Sequence, residues 1–172
     1  MQLTHDTTKF NKKTFPITII CDNVNNAPNI GALFRVCDAF GVEKIIFTGE
    51  TLDIPSRKMQ KTSRSTEKYV AYEKIKDIHQ YLDIIKKTHQ IIAIEITENS
   101  KPIHQYQFNK QKPIAFIIGD ENFGIEENIL NKTHEIIHIN MFGNNSSMNV
   151  VQAINIVLYE STKQLQDVTI KK

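Results

Sequence analysis

The chain has 172 residues, 40% of them hydrophobic and 23% charged, so it can bury one core and lacks the polar, highly charged composition of a disordered segment. Twenty-one Lys and Arg against 19 Asp and Glu leave a formal net charge of +2, which excludes a histone-like polycation but leaves a locally basic face open. No apolar run reaches the ~18 residues of a membrane span, and Met1 to Asp6 carries no signal-peptide core, so the expectation is a soluble, cytoplasmic protein with no membrane partner.

In chain order, β-branched runs alternate with helical patterns, which predicts an α/β fold with a parallel sheet. Ile17–Cys21 is the first strand, followed by a polar turn through Pro28. From Ile30 to Phe40 the residues Ile30, Leu33, Phe34 and Cys37 recur at helical spacing, and Gly41 supplies a stop. Lys44–Phe47 predicts a second strand and Val70–Tyr72 a weak third, while Ile75 to Lys87 has the stripe of an amphipathic helix. Ile91–Ile96 and Ile114–Ile118 are near-continuous apolar runs, as in strands covered on both faces. A short helix over Ile125–Lys132, a strand over Ile136–Ile139 and a last helix over 150–166 complete the pattern. Loops are expected near 48–66, 97–112 and 140–148. Cys21 and Cys37 are too few for a disulfide scaffold and are expected to be reduced, buried thiols. The division expected is one domain over 1–172, with 1–16 an N-terminal extension, 17–160 the core and 161–172 the helix end and tail.

His134-Glu135-Ile136-Ile137-His138 matches H-E-x-x-H, a zinc-hydrolase pattern that needs a helix to bring its two imidazoles together. Here it enters a β-branched run, and in a strand two histidines four residues apart stand about 13 Å from each other, so no metal is expected. No G-x-G-x-x-G, Walker loop or G-x-S-x-G occurs. Three polar loops remain, each after a predicted strand, where open α/β sheets place their ligands. Asn29 to Arg35 opens the first helix, with Asn29 expected as N-cap and Gly31 allowing close backbone or phosphate approach. Gly119 to Gly124 holds two glycines and two carboxylates. Gly143 to Asn149 is rich in small hydrogen-bonding side chains.

Asn29-x-Gly31-Ala32-x-x-Arg35, Gly119-x-Glu121-x-x-Gly124 and Ser147-Met148-Asn149-Val150, in that order, resemble the three motifs of the SpoU (TrmH-like) RNA ribose 2′-O-methyltransferases. The resemblance runs from about Thr18 to Glu160. It implies an α/β parallel-sheet sandwich with a C-terminal deep trefoil knot, S-adenosylmethionine bound in that knot, and a homodimer. It further implies a catalytic set of Arg35, Asn29, Glu121, Ser147 and Asn149. In that set Arg35 contacts the target phosphate and ribose, Asn29 positions it, and Glu121 is a structural carboxylate. A guanidinium with a pKa above about 12 is a poor base, so anchoring and orienting suit Arg35 better than proton removal. Ile96 or Thr97, with Gly119, Ile139, Ser147 and Met148, would hold the cofactor. Asn140 stands where the family usually has proline, which loosens the third loop; Asn122 replaces a small residue and Met148 a leucine.

Arg57, Lys58, Lys61, Arg64 and Lys68, against Glu67 alone, form a basic segment suited to tracking phosphates, and Ser63 falls where the resemblance implies a Ser-rich substrate loop. With about 16 residues before the first strand, no appended RNA-binding domain is expected. That favours transfer RNA, at D-loop position 18 or anticodon position 34, over ribosomal RNA. A non-catalytic RNA-binding protein on the same fold is the alternative from another class.

Overall fold

A computed structural model describes residue 8, residues 10–49 and residues 54–166. Residues 1–7 and 9 of the N-terminal extension, positions 50–53 and the tail beyond 166 lie outside the described residues. Seven strands, β1 (Phe15–Asp22), β2 (Val42–Thr48), β3 (Ala71–Lys74), β4 (Gln90–Ile94), β5 (Lys101–Pro102), β6 (Ile114–Ile118) and β7 (Glu135–His138), form one sheet in the order β3-β2-β1-β6-β4-β7-β5. Every pairing is parallel. The helices are α1 (Ala27–Ala39), α2 (Arg57–Ser63), α3 (Ile78–Ile85), α4 (Glu127–Leu130) and α5 (Val150–Leu165).

Period-two alternation splits the apolar runs between two cores. Ile19, Cys21, Ile45, Phe47, Ile92, Phe116 and Ile118 pack with Leu33, Phe34, Ile154, Val157 and Leu158 of α1 and α5. Their neighbours Ile20, Ile46, Ile91, Ala93, Ala115 and Ile117 face the other way, onto Ile78, Leu82, Ile85 and Ile129 of α3 and α4. Burial on both faces explains why the central strands have no polar alternation. Cys21 and Cys37 are buried free thiols, and desolvation pushes both pKa values up, which keeps them protonated and unreactive.

Three expectations about helices need correcting. α1 begins three residues earlier than the spacing suggested, and its N-cap is Asn26, whose side chain accepts from the Asn29 amide (3.1 Å). Ala27 and Pro28 fill the first turn, where a missing N–H costs nothing. The basic segment is no loop: Arg57–Ser63 is helical, capped by Ser56, and Thr66–Lys68 adds a 3-10 turn. α3 starts only at Ile78, because Asp77 caps it by accepting from the Gln80 amide.

Gly31 opens the way for a helix, not a phosphate. A Cβ there would stand 2.1 Å from Thr62 Oγ1 and 2.2 Å from the Met59 carbonyl oxygen, so glycine is what lets α2 lie on α1. Thr62 then donates to the Pro28 carbonyl (3.0 Å), tying the two helices at their contact.

Candidate active site

The carboxyl ends of β1, β6 and β7 carry the three motif loops, and their side chains stitch them together. Asn29, in the first turn of α1, donates from Nδ2 to Glu121 Oε1 in the loop after β6. Its Oδ1 accepts from Asn149 Nδ2 (3.3 Å) in the loop after β7. Asn149 also caps α5, accepting from the Val151 amide (2.9 Å). Both ends of the Asn29 carboxamide are thus engaged by the other two loops, so Asn29 braces the loops.

Behind this seam lies a cavity of about 580 Å³. Its wall contains every residue assigned to the cofactor from the sequence: Ile96, Thr97, Gly119, Ile139, Ser147 and Met148. Glu121 lines it as well. The loop after β6 is shaped by Asp120, whose carboxylate accepts the amides of Asn122 (2.8 Å) and Phe123 (3.1 Å). Asn122 therefore contributes its backbone to the turn while its side chain is exposed. A Cβ on Gly119 would lie 2.3 Å from the Gly124 carbonyl oxygen, so this turn closes only around glycine.

Glu95 is a cavity residue the sequence reading missed. Its carboxylate accepts the amide of Ile96 (2.9 Å) and that of Ile125 (3.2 Å), joining the end of β4 to the loop after β6. The signal was a lone carboxylate inside an otherwise apolar run. His138, weighed earlier only as half of a zinc pattern, also lines the cavity. Its would-be partner His134 precedes β7 and accepts the Ile91 amide at Nδ1 (3.0 Å). Among the described residues no cluster of His, Cys, Asp or Glu could hold a metal.

Arg35 is elsewhere. It lines a second cleft of about 450 Å³ between α1, α2 and α5, together with Lys61, Thr62, Arg64 and Asn155. Three cations and no carboxylate line that cleft. Arg57, Lys58 and Lys68 are exposed beside it in sequence. Ser63 must be withdrawn as an RNA contact: it is 0% exposed, and its hydroxyl donates to Glu67 (2.5 Å), so it holds the turn after α2 from inside.

The sheet, the carboxyl-end cavity and the three-loop seam define an α/β ligand-binding enzyme architecture, and comparison places it more closely. Residues 16–159 match the SpoU rRNA Methylase family; the chain belongs to that family. It is 28% identical over 149 residues to the tRNA (guanosine(18)-2′-O)-methyltransferase of Thermus thermophilus, covering 86% of this chain and 75% of the relative. The crystal structure of the Aquifex aeolicus TrmH/SpoU tRNA modifying enzyme superposes with a TM-score of 0.79 at 26% identity, over 91% of this chain and 78% of that one. An AdoMet-bound rRNA methyltransferase from Sinorhizobium meliloti gives 0.81 at 20% identity, over 91% of this chain. This chain spans 59% of the length of that enzyme.

Proposed function

We propose that the protein is an S-adenosylmethionine-dependent RNA ribose 2′-O-methyltransferase acting on transfer RNA, with D-loop position 18 the favoured target. The observation that carries this reading is that α5 lines two clefts, with Val150 and Ala153 in one and Asn155 in the other. One is lined by the cofactor motifs; the other is lined by Arg35, Lys61 and Arg64. The Thermus relative, named for guanosine 18, supports the substrate.

The cavity suits a molecule that is part apolar and part cationic. Ile118, Ile125, Leu130, Ile139 and Ala153 offer an apolar wall, Glu95, Asp120 and Glu121 bring carboxylates, and Thr97 Oγ1 is a buried hydroxyl with no hydrogen-bond partner. Ile96, Thr97, Gly119, Ile139, Ser147 and Met148 would hold S-adenosylmethionine, whose sulfonium supplies the methyl group. The chain's task is to hold the 2′-hydroxyl in line with that group. Arg35 fixes the neighbouring phosphate with Lys61 and Arg64, and Arg57 and Lys58 extend the grip along the backbone. Glu121 and Asn149 act through Asn29, which keeps the loops in register.

In this reading the catalytic core, residues 17–160, is threaded as a trefoil knot. The late strands β6 and β7 flank β4, which is consistent with a tail crossing earlier chain. The protein works as a homodimer in the cytoplasm. Ile156 and Tyr159 on α5, with Phe142, leave an exposed apolar surface for a second copy, and two buried thiols suit a reducing compartment.

Arg35→Ala tests the assignment. Its expected outcome is a loss of at least about 100-fold in methyl transfer to tRNA, with S-adenosylmethionine affinity unchanged by calorimetry. An active variant removes Arg35 from the mechanism. Ribosomal RNA methylated in preference to tRNA overturns the substrate, and no uptake of S-adenosylmethionine by the wild type leaves only the RNA-binding role.

A further inference from the structure

The wall of the cavity between β4 and β7 is held by a chain of side-chain bonds that none of the family motifs contains. His138 ends β7 with its ring at the cavity wall. Its Nδ1 lies 2.9 Å from Ser100 Oγ and its Nε2 2.9 Å from Asn140 Oδ1. Ser100 closes the turn after β4: its hydroxyl donates to the Thr97 carbonyl (2.7 Å) and accepts the Thr97 amide (3.0 Å). The Ser100 hydroxyl can give its one hydrogen to Thr97 or to Nδ1, and the Asn140 carboxamide can meet Nε2 with oxygen or nitrogen, so the ring keeps both bonds in either neutral state.

We infer that Ser100, His138 and Asn140 are positioning residues that clamp the two backbone edges of the cofactor cavity, and that they set the affinity for S-adenosylmethionine. On one edge the clamp fixes the main chain of Thr97; on the other it fixes Asn140, between the lining residues Ile139 and Met141. The bond from the Asn140 side chain to His138 ties down the start of the loop after β7, where the sequence alone suggested slack. The inference rests on reading the cavity as the S-adenosylmethionine site.

The test titrates S-adenosylmethionine into the full-length protein and into Ser100→Ala, Asn140→Ala and the double variant, none of which alters a cavity-lining side chain. Each single variant is expected to raise Kd by about three- to tenfold, the size of one net hydrogen bond. At saturating cofactor kcat stays within about twofold. Both act through one ring, so the double variant is expected to bind no more than about twofold more weakly than the weaker single one. Ser100→Thr, which keeps the hydroxyl, retains wild-type affinity. Unchanged Kd in both singles or fully multiplicative effects in the double variant overturns the clamp. Wild-type protein that takes up no S-adenosylmethionine sinks the cavity reading and the clamp with it, whereas normal wild-type binding with unaffected variants sinks the clamp alone.

Discussion

At the end of β1 a buried charge works against the fold. Asp22 is 4% exposed and accepts from Thr48 Oγ1 at 2.7 Å. Burial raises its pKa above 3.8, with the charge of Glu126 adding to the rise, while Thr48 and His79 oppose it. The native state thus holds this proton more tightly than the unfolded chain does. The stability that protonated Asp22 contributes is complete below pH 3.8 and is lost as pH climbs through the raised native value. Asp22→Asn keeps the shape and the acceptor for Thr48 without the charge. It is expected to raise Tm by about 2 °C at pH 7, with the gain over wild type vanishing below pH 3.8; calorimetry across that range decides it, and a lower Tm at pH 7 means the charge is required. Single residues were the hardest scale to read in advance. Asn26 and Asn29 are the same residue type three positions apart, and only the fold reveals that the first caps α1 and the second spans to Glu121 and Asn149.

Elements were legible where burial imposes a pattern. β6 was placed to the residue because all five of its side chains are buried, and β1 and β2 were found but cut short, each by two residues at the front and one at the back. α2 escaped notice because its sequence, RKMQKTS, buries only Met59 and Ser63, leaving no apolar stripe; its helical state comes from docking on α1 over Gly31. β5, two residues long, is too short for any period to register. Forming α2 changes what its charges do, since the helix and its C-cap residue hold Lys61 and Arg64 beside Arg35 in one cleft. The double charge reversal Lys61→Glu with Arg64→Glu is expected to weaken tRNA binding in filter assays. It should also flatten the dependence of log affinity on log salt by about 1.4 to 1.8, the release from two phosphate contacts, with S-adenosylmethionine affinity untouched. An unchanged salt slope would place the RNA elsewhere.

For the molecule as a whole, a parallel sheet was foreseeable from the alternation of runs, but its strand order was not. Nothing in a local period says that β6 enters between β1 and β4, because that choice depends on long-range packing of surfaces that are alike in composition. The number of copies is likewise a property of exposed surface. Sedimentation of the full chain at micromolar concentration is expected to give a dimer, and Tyr159→Glu with Ile156→Glu is expected to give monomers; a wild-type monomer removes the second copy from the proposal. The strand order also has a consequence for synthesis. Both neighbours of β4, namely β6 and β7, lie later in the chain, as does the partner for the second edge of β1. A ribosome therefore releases Ile91, Ile92 and Ala93 before any strand exists to pair with them. The nascent protein must carry open, apolar strand edges, the kind that seed aggregation, on β1 until residue 118 has emerged and on β4 until residue 138 has.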